Sequence, residues 1–386
     1  MRTSLRLLAL VPAALLALSG PTLPASADAG LRAPDLLSGK GVVVPAGAPA
    51  LPTILTGDSW VVADADTGAV LAARDAHGSR LPASTLKVLT AITVIPRLDP
   101  AARVQPSQED LNVDGTKVGL FRGYRYPVST LLTAMLVVSA NDAANTLATA
   151  NGGLAVTAEQ MNVEARRLGA TGTNAVNPSG LDAAGQMSTA YDLALFGRAG
   201  LQLPDFRRYV ATKNSTVPGL NGKQIAISTH DKLLFNYPGA IGIKNGYTVA
   251  AKATYIGAAT RDGHTVLVTV MHAEPRIWPE VAALLDWGFA AERAGVTPVG
   301  QLAEPLDAGP KTTAALVGAR ITPVAIRRSI PILASSLPAV TAGGLGLLVL
   351  LMVVRRRRSV SGAAVSWQSA ERARTRRAAP RPRRRR

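Results

Sequence analysis

Ser84 and Lys87 stand three residues apart in Pro82-Ala83-Ser84-Thr85-Leu86-Lys87-Val88-Leu89-Thr90. Pro82 and the residues after it can open a helix, which puts Ser84 in the first turn and Lys87 on the same face one turn later. A serine hydroxyl is a weak nucleophile until a neighbouring base takes its proton. A lysine amine becomes such a base when burial and a second cation lower its pKa. Leu86, Val88 and Leu89 provide apolar surroundings for that burial. Taken alone, the same residues also describe an ordinary helix start with a surface lysine.

Two further clusters carry polar groups suited to the same chemistry. In Val138-Ser139-Ala140-Asn141-Asp142-Ala143, Ser139 can relay a proton between a nucleophile and a leaving amine. Asn141 offers both a donor and an acceptor to a lysine or a substrate amide. A helix cap is the plain alternative for this run. In Gly242-Ile243-Lys244-Asn245-Gly246-Tyr247-Thr248, a lysine next to a glycine on an edge strand brings positive charge and a closely approachable backbone. The alternative there is a hairpin turn about Asn245-Gly246. His77, His230, His264 and His272 lack metal-ligand spacing. A Ser/Lys mechanism calls for no metal and no cofactor. Without cysteine the chain has no disulfide and no thiolate site.

In this order the three clusters resemble Ser-x-x-Lys, Ser-x-Asn and Lys-Thr-Gly of the penicillin-binding, active-site-serine class. Within that class the chain resembles the serine-type D-alanyl-D-alanine carboxypeptidase family. Asn177-Pro178-Ser179-Gly180-Leu181 is similar to the loop between the family's second and third motifs. Leu284-Leu285-Asp286-Trp287-Gly288-Phe289 is similar to the helix that closes its catalytic domain. The resemblance covers roughly residues 55–290. It implies acyl transfer on peptidoglycan stem peptides ending in D-Ala-D-Ala, with β-lactam antibiotics as covalent inhibitors. Ser84 is then the nucleophile, Lys87 its base, and Ser139 and Asn141 complete the proton path. The oxyanion hole falls to the backbone N–H groups of Ser84 and Tyr247. Lys244, Asn245, Gly246, Tyr247 and Arg276 bind substrate, with Asn245 standing where the family usually has Thr. Ser179 is outside any Gly-x-Ser-x-Gly elbow and is expected to shape a loop.

The elements that must position these residues read as follows. Residues 59–64 and 69–73 form a β-hairpin across Ala65-Asp66-Thr67-Gly68, and strands return at 223–228, 253–259 and 265–271. An Ala/Leu-rich helical stretch lies between, from about 84 to 200, and Trp278–Phe289 is amphipathic. Strands at both ends with helices between predict an α/β (α+β) fold. Its antiparallel sheet draws on both ends of the chain and packs with helices and a helical subdomain. The resemblance adds that this is the serine β-lactamase/D,D-peptidase-like architecture. The catalytic domain is expected over 57–290, after a flexible leader at 28–56 and before a stalk at 291–330.

The net charge of +17 is concentrated at the C-terminus, where residues 355–386 hold thirteen arginines and one glutamate. Residues 1–27 have a charged start, an apolar run and Ala25-Ser26-Ala27, the pattern of a signal peptide. Residues 331–354 carry no charge and are followed at once by Arg355–Arg358, which predicts a transmembrane helix with the Arg-rich tail 355–386 in the cytoplasm. The expected topology is an exported body on a single-pass C-terminal anchor. No specific nucleic-acid partner is expected, because a stop-transfer anchor needs this charge anyway and aromatic residues are only 4% of the chain. A serine β-lactamase is disfavoured, since Glu159 and Glu164, the two glutamates between Asn141 and Lys244, fall in an expected helix instead of a place to activate water. A catalytically impaired penicillin-binding or wall-scaffold protein of the same fold is the remaining alternative, and Asn245 is its motive.

Overall fold

The computed structural model describes residues 36–306. The expected signal peptide, transmembrane helix and cytoplasmic tail lie outside the described residues, as do 28–35 of the leader and 307–330 of the stalk. Among the described residues no helix is long and apolar enough to cross a membrane.

The main sheet is antiparallel. It contains β1 (Val42–Val43), β2 (Ser59–Asp64), β3 (Ala69–Arg74), and two short strands of a separate ribbon follow, β4 (Arg103–Val104) and β5 (Tyr126–Pro127). A second ribbon joins β6 (Asn214–Pro218) to β7 (Gln224–Ser228). The main sheet then resumes with β8 (Ala240–Thr248), β9 (Lys252–Arg261), β10 (His264–Ala273) and β11 (Gly300–Gln301). Its order is β1-β3-β2-β10-β9-β8, with β11 also on β3. The helices are α1 (Lys87–Val94), α2 (Gln108–Leu111), α3 (Val128–Val137), α4 (Asn141–Ala150), α5 (Leu154–Arg167), α6 (Ala190–Leu201), α7 (Pro204–Val210), α8 (Leu233–Asn236) and α9 (Trp278–Arg293).

Strand alternation assigns the two faces. Trp60, Val62, Val266, Val268 and Val270 pack with Val281, Leu284, Leu285 and Phe289 of α9. The intervening Val61, Ala63, Leu267 and Met271 pack with the α1, α3, α4 and α6 side. This period of two on strands buried from both sides is why they read as continuous apolar runs. The helical subdomain built around α3, α4 and α5 lies beyond α1, and the cleft opens where α1 begins beside β8.

The domain boundaries move outward from those expected. In the described part of the leader, β1 pairs with β3, Leu37 is buried, and the Pro49 carbonyl accepts the Trp287 indole N–H at 2.9 Å. Glu280 accepts Thr56 N–H and Gly57 N–H at 2.9 Å each and the Thr56 hydroxyl at 2.8 Å. At the other end, α9 runs to Arg293, β11 pairs with β3, and Leu302 is fully buried. The folded body therefore includes 36–56 and 291–306. Two-residue strands are too short to leave a period in the sequence, so their pairing was invisible there. Asn245-Gly246 is likewise no hairpin turn: it lies inside β8, opposite Tyr255 and Thr254, and the turn follows at 249–251.

Candidate active site

Ser84 is presented by a sharp turn. Ala83, fully buried, has φ +47°, and Ala83–Leu86 form a 3₁₀ turn that runs straight into α1. A non-glycine residue with positive φ directly before Ser84 stores backbone strain that the surroundings must hold. They do so through Pro82, whose carbonyl accepts the hydroxyls of Thr85 and, at 2.9 Å, Thr254 of β9. Ser84 itself is half-buried, open to the cleft.

Lys87 is fully buried at the first position of α1. Its Nζ lies 3.0 Å from Ser84 Oγ and 2.7 Å from Asn141 Oδ1, and it also contacts the Ser179 carbonyl. Burial pushes its pKa well below the ordinary lysine value, and the nearby Lys244 charge lowers it further. A neutral primary amine has two N–H bonds and one lone pair. The Asn141 and Ser179 oxygens, which can only accept, take both N–H bonds. The lone pair is thereby aimed at the Ser84 hydroxyl. The surface-lysine alternative is excluded by that burial.

The Ser179 carbonyl comes from a turn that sequence reasoning treated only as loop shape. Asn177 Oδ1 accepts Ser179 N–H, Ser179 hydroxyl and Gly180 N–H at 3.2, 2.9 and 2.9 Å, closing an Asx-type turn. Thr90 donates to the Pro178 carbonyl at 2.7 Å. Gly180 has φ +82°, and a Cβ there would meet the Ala83 carbonyl oxygen at 1.9 Å. Only glycine lets this turn close onto Ala83 and Ser84. The readable signal was the Asn-Pro-Ser-Gly wording, which marks a turn but not what its carbonyl touches.

Ser139 sits between α3 and α4 with φ +61°, and it is 7% exposed. The cap of α4 is Ala140, with no side-chain capping bond, so the helix-cap alternative does not hold. Lys87 Nζ has three partners, Ser84, Asn141 and Ser179, and Ser139 is not among them. Asn141, 3% exposed, is shared: its Oδ1 receives Lys87 and its Nδ2 donates to the Asp114 carbonyl at 2.7 Å.

The third cluster forms the opposite wall. Gly246 packs so tightly on the nucleophile turn that a Cβ would lie 2.6 Å from Ser84 N and 2.7 Å from Thr254 Oγ1. Any side chain there would separate β8 from Ser84. Lys244 is fully buried, donates to the Asn245 carbonyl at 2.7 Å, and has its pKa lowered to about 8 by burial, with Asp231 acting the other way. Asp231 was not singled out from the sequence. It is 3% exposed, and its Oδ1 accepts Leu233 N–H at 2.9 Å and the Tyr255 hydroxyl. Asn245 and Tyr247 line a cavity of about 230 Å³ with His230, Lys232, Arg276 and Trp278. Arg276 is exposed, with φ +69°. Of the residues singled out from the sequence, Ser84, Lys87 and Asn141 are joined by hydrogen bonds, Gly246 packs on Ser84 N, and Asn245, Gly246, Tyr247 and Arg276 line the cavity.

Residues 46–275 match the family model described as D-alanyl-D-alanine carboxypeptidase, Peptidase S11. The chain belongs to this family. D-alanyl-D-alanine carboxypeptidase DacB2 of Mycobacterium tuberculosis is 44% identical over 239 residues, covering 60% of this chain and 82% of the relative. DacF of Bacillus subtilis is 27% identical over 240 residues, and the match spans 62% of its length. The crystal structure of a D-alanyl-D-alanine carboxypeptidase from Mycobacterium tuberculosis H37Rv superposes with TM-score 0.63 at 40% identity, covering 68% of this chain and all of that one. The mixed fold of this carboxypeptidase-family chain, an antiparallel sheet between helices, is thus that of the D,D-peptidases and β-lactamase-like proteins.

Proposed function

We infer that the chain is a serine D,D-carboxypeptidase that removes the terminal D-Ala from peptidoglycan stem peptides through an acyl-enzyme on Ser84. One observation carries the assignment of roles: a fully buried lysine 3.0 Å from the serine hydroxyl, with both amine N–H bonds engaged elsewhere. Lys87 accepts the Ser84 proton as Oγ attacks the carbonyl of the penultimate D-Ala. The backbone N–H groups of Ser84 and Tyr247 receive the developing oxyanion, and Gly246 permits the close approach this needs. Lys87 returns the proton toward the leaving amine, with Ser139 as relay, and D-Ala departs. Water then attacks the ester while Lys87 takes its proton, and as the ester C–O bond breaks Lys87 returns that proton to Ser84 Oγ and the shortened peptide leaves. Lys244 supplies positive potential, while the Asn245 amide and Arg276 face the terminal carboxylate from the β8 side. A β-lactam presents the same amide carbonyl and acylates Ser84 by the same step.

We also propose that the chain is exported by a signal over 1–27 and anchored through 331–354, as its sequence pattern suggests, because the substrate lies outside the membrane. Carbonate extraction and protease accessibility of the C-terminal tail in intact cells test that topology. The central test uses the purified wild-type and Ser84→Ala proteins with a peptide ending in D-Ala-D-Ala and a fluorescent penicillin. Released D-alanine and covalent label in the wild type, and neither in the variant, are expected. Label without D-alanine release favours the impaired penicillin-binding reading, with Asn245 the first residue to revert. Neither signal from folded wild type overturns the enzyme.

A further inference from the structure

Asn141 must present its amide oxygen, not its nitrogen, to Lys87, and nothing within Asn141 decides which way round it lies. The neighbouring backbone decides. The Asp114 carbonyl can only accept, so it takes Nδ2 at 2.7 Å, and the Thr116 carbonyl accepts the Asn141 N–H at 2.7 Å. Residues 113–120 belong to no helix or strand, and 114–117 are exposed, so this backbone lacks a ladder of its own to fix it.

What fixes it is the next residue of α4. Asp142 is 1% exposed and accepts three successive backbone N–H groups: Val118 at 3.1 Å on Oδ1, then Gly119 at 2.9 Å and Leu120 at 3.0 Å on Oδ2. A carboxylate has acceptor capacity for all of them, and such charged bonds are stronger than neutral ones. Downstream, the Tyr126 hydroxyl accepts Phe121 N–H at 3.0 Å and Leu120 is buried, but both hold the far end of the segment. Toward the cleft, a Cβ on Gly115 would lie 2.9 Å from Asn141 Nδ2, so little slack separates this backbone from the amide.

We propose that Asp142 is a positioning residue for the proton-transfer network: by gripping the backbone of 118–120 it sets the Asp114 carbonyl, which turns the Asn141 amide oxygen onto Lys87. This deepens the carboxypeptidase reading and rests on it. The segment 114–120 is then a working part of the site. Its contribution to the chemistry is made through backbone carbonyls, of which Asp114's tells the amide which end to show.

The test is the rate of acylation of the full-length protein by a fluorescent penicillin at rising concentration. It yields a limiting rate constant, a half-saturation concentration and the final labelled fraction. Asp142→Ala should lower the limiting rate about 10- to 100-fold, as small misplacements of reacting groups do. Half-saturation should stay within about 3-fold, because the β8 wall is untouched. Asp142→Asn, which keeps one oxygen, should fall between the two. Gly115→Ala, which crowds the amide and leaves the carboxylate alone, should lower the same rate. A loss confined to the labelled fraction, with the limiting rate unchanged, would make Asp142 merely structural and overturn the proposal. If Asp142→Ala gives no folded protein, Asp142→Asn decides, and a wild-type limiting rate there overturns the proposal. Absence of label in the wild type would instead sink the underlying enzyme reading.

Discussion

On one side of Ser84, Lys87 and Asn141 are 0% and 3% exposed and every polar atom described on them has a fixed partner. On the other side, Tyr247 is 58% exposed, Asn245 is half-buried, and Arg276 stands in the open. The first wall is made of helix starts and turns locked by backbone carbonyls, and the second is an edge strand. The difference follows from what each must do. Holding a lysine neutral requires dryness and acceptors that cannot move, since a buried charge without partners costs more than hydrogen bonding returns. Catching a carboxylate on an incoming peptide requires an open edge where side chains still reach water.

Lys87→Ala should therefore cost the most, about 10²- to 10⁴-fold in acylation rate, the usual share of a general base. Lys87→Arg should not restore it, because a guanidinium keeps its proton. The pH dependence of kcat/KM separates the walls next. Activity rises as Lys87 loses its proton, and burial sets that rise well below the ordinary lysine range. It should fall above pH about 8, where Lys244 loses the positive charge proposed to attract the carboxylate. Lys244→Arg should move only the alkaline limb, upward. Arg276→Ala should raise KM about 10-fold, the worth of one partly solvated charged hydrogen bond, with kcat nearly unchanged. Asn245→Thr should have the smallest effect, a shift of about 3-fold in KM, since a hydroxyl and an amide can both donate there. A large change in kcat for either β8-side variant would erase the distinction between the walls.

The same contrast explains what could be read beforehand. Ser84, Lys87, Asn141 and Lys244 were legible because their side-chain types carry the chemistry and their spacing is local. The partners of those residues were not. The Ser179 and Asp114 carbonyls belong to every residue alike, and Asp231 and Asp142 acquire their roles only when distant segments are packed against them. The strands with strong β-branched alternation were also legible. β1 and β11 were missed, since their two-residue pairings draw on backbone groups rather than side-chain pattern. Asn245-Gly246 looked like a turn because local wording favours one. Cross-strand pairing with β9 overrode it.

β1 and β11 share the outer side of β3, and β8 is the opposite margin of the sheet. Five strand spacings of about 4.8 Å separate either outer segment from β8, so the cleft stands about 24 Å across the sheet from both. A tag, linker or surface attachment joined beside either β1 or β11 would pull on the margin remote from Ser84. Immobilising the protein through that margin should leave the mouth of the cleft facing outward, free to meet a substrate that is itself part of a large, immobile network.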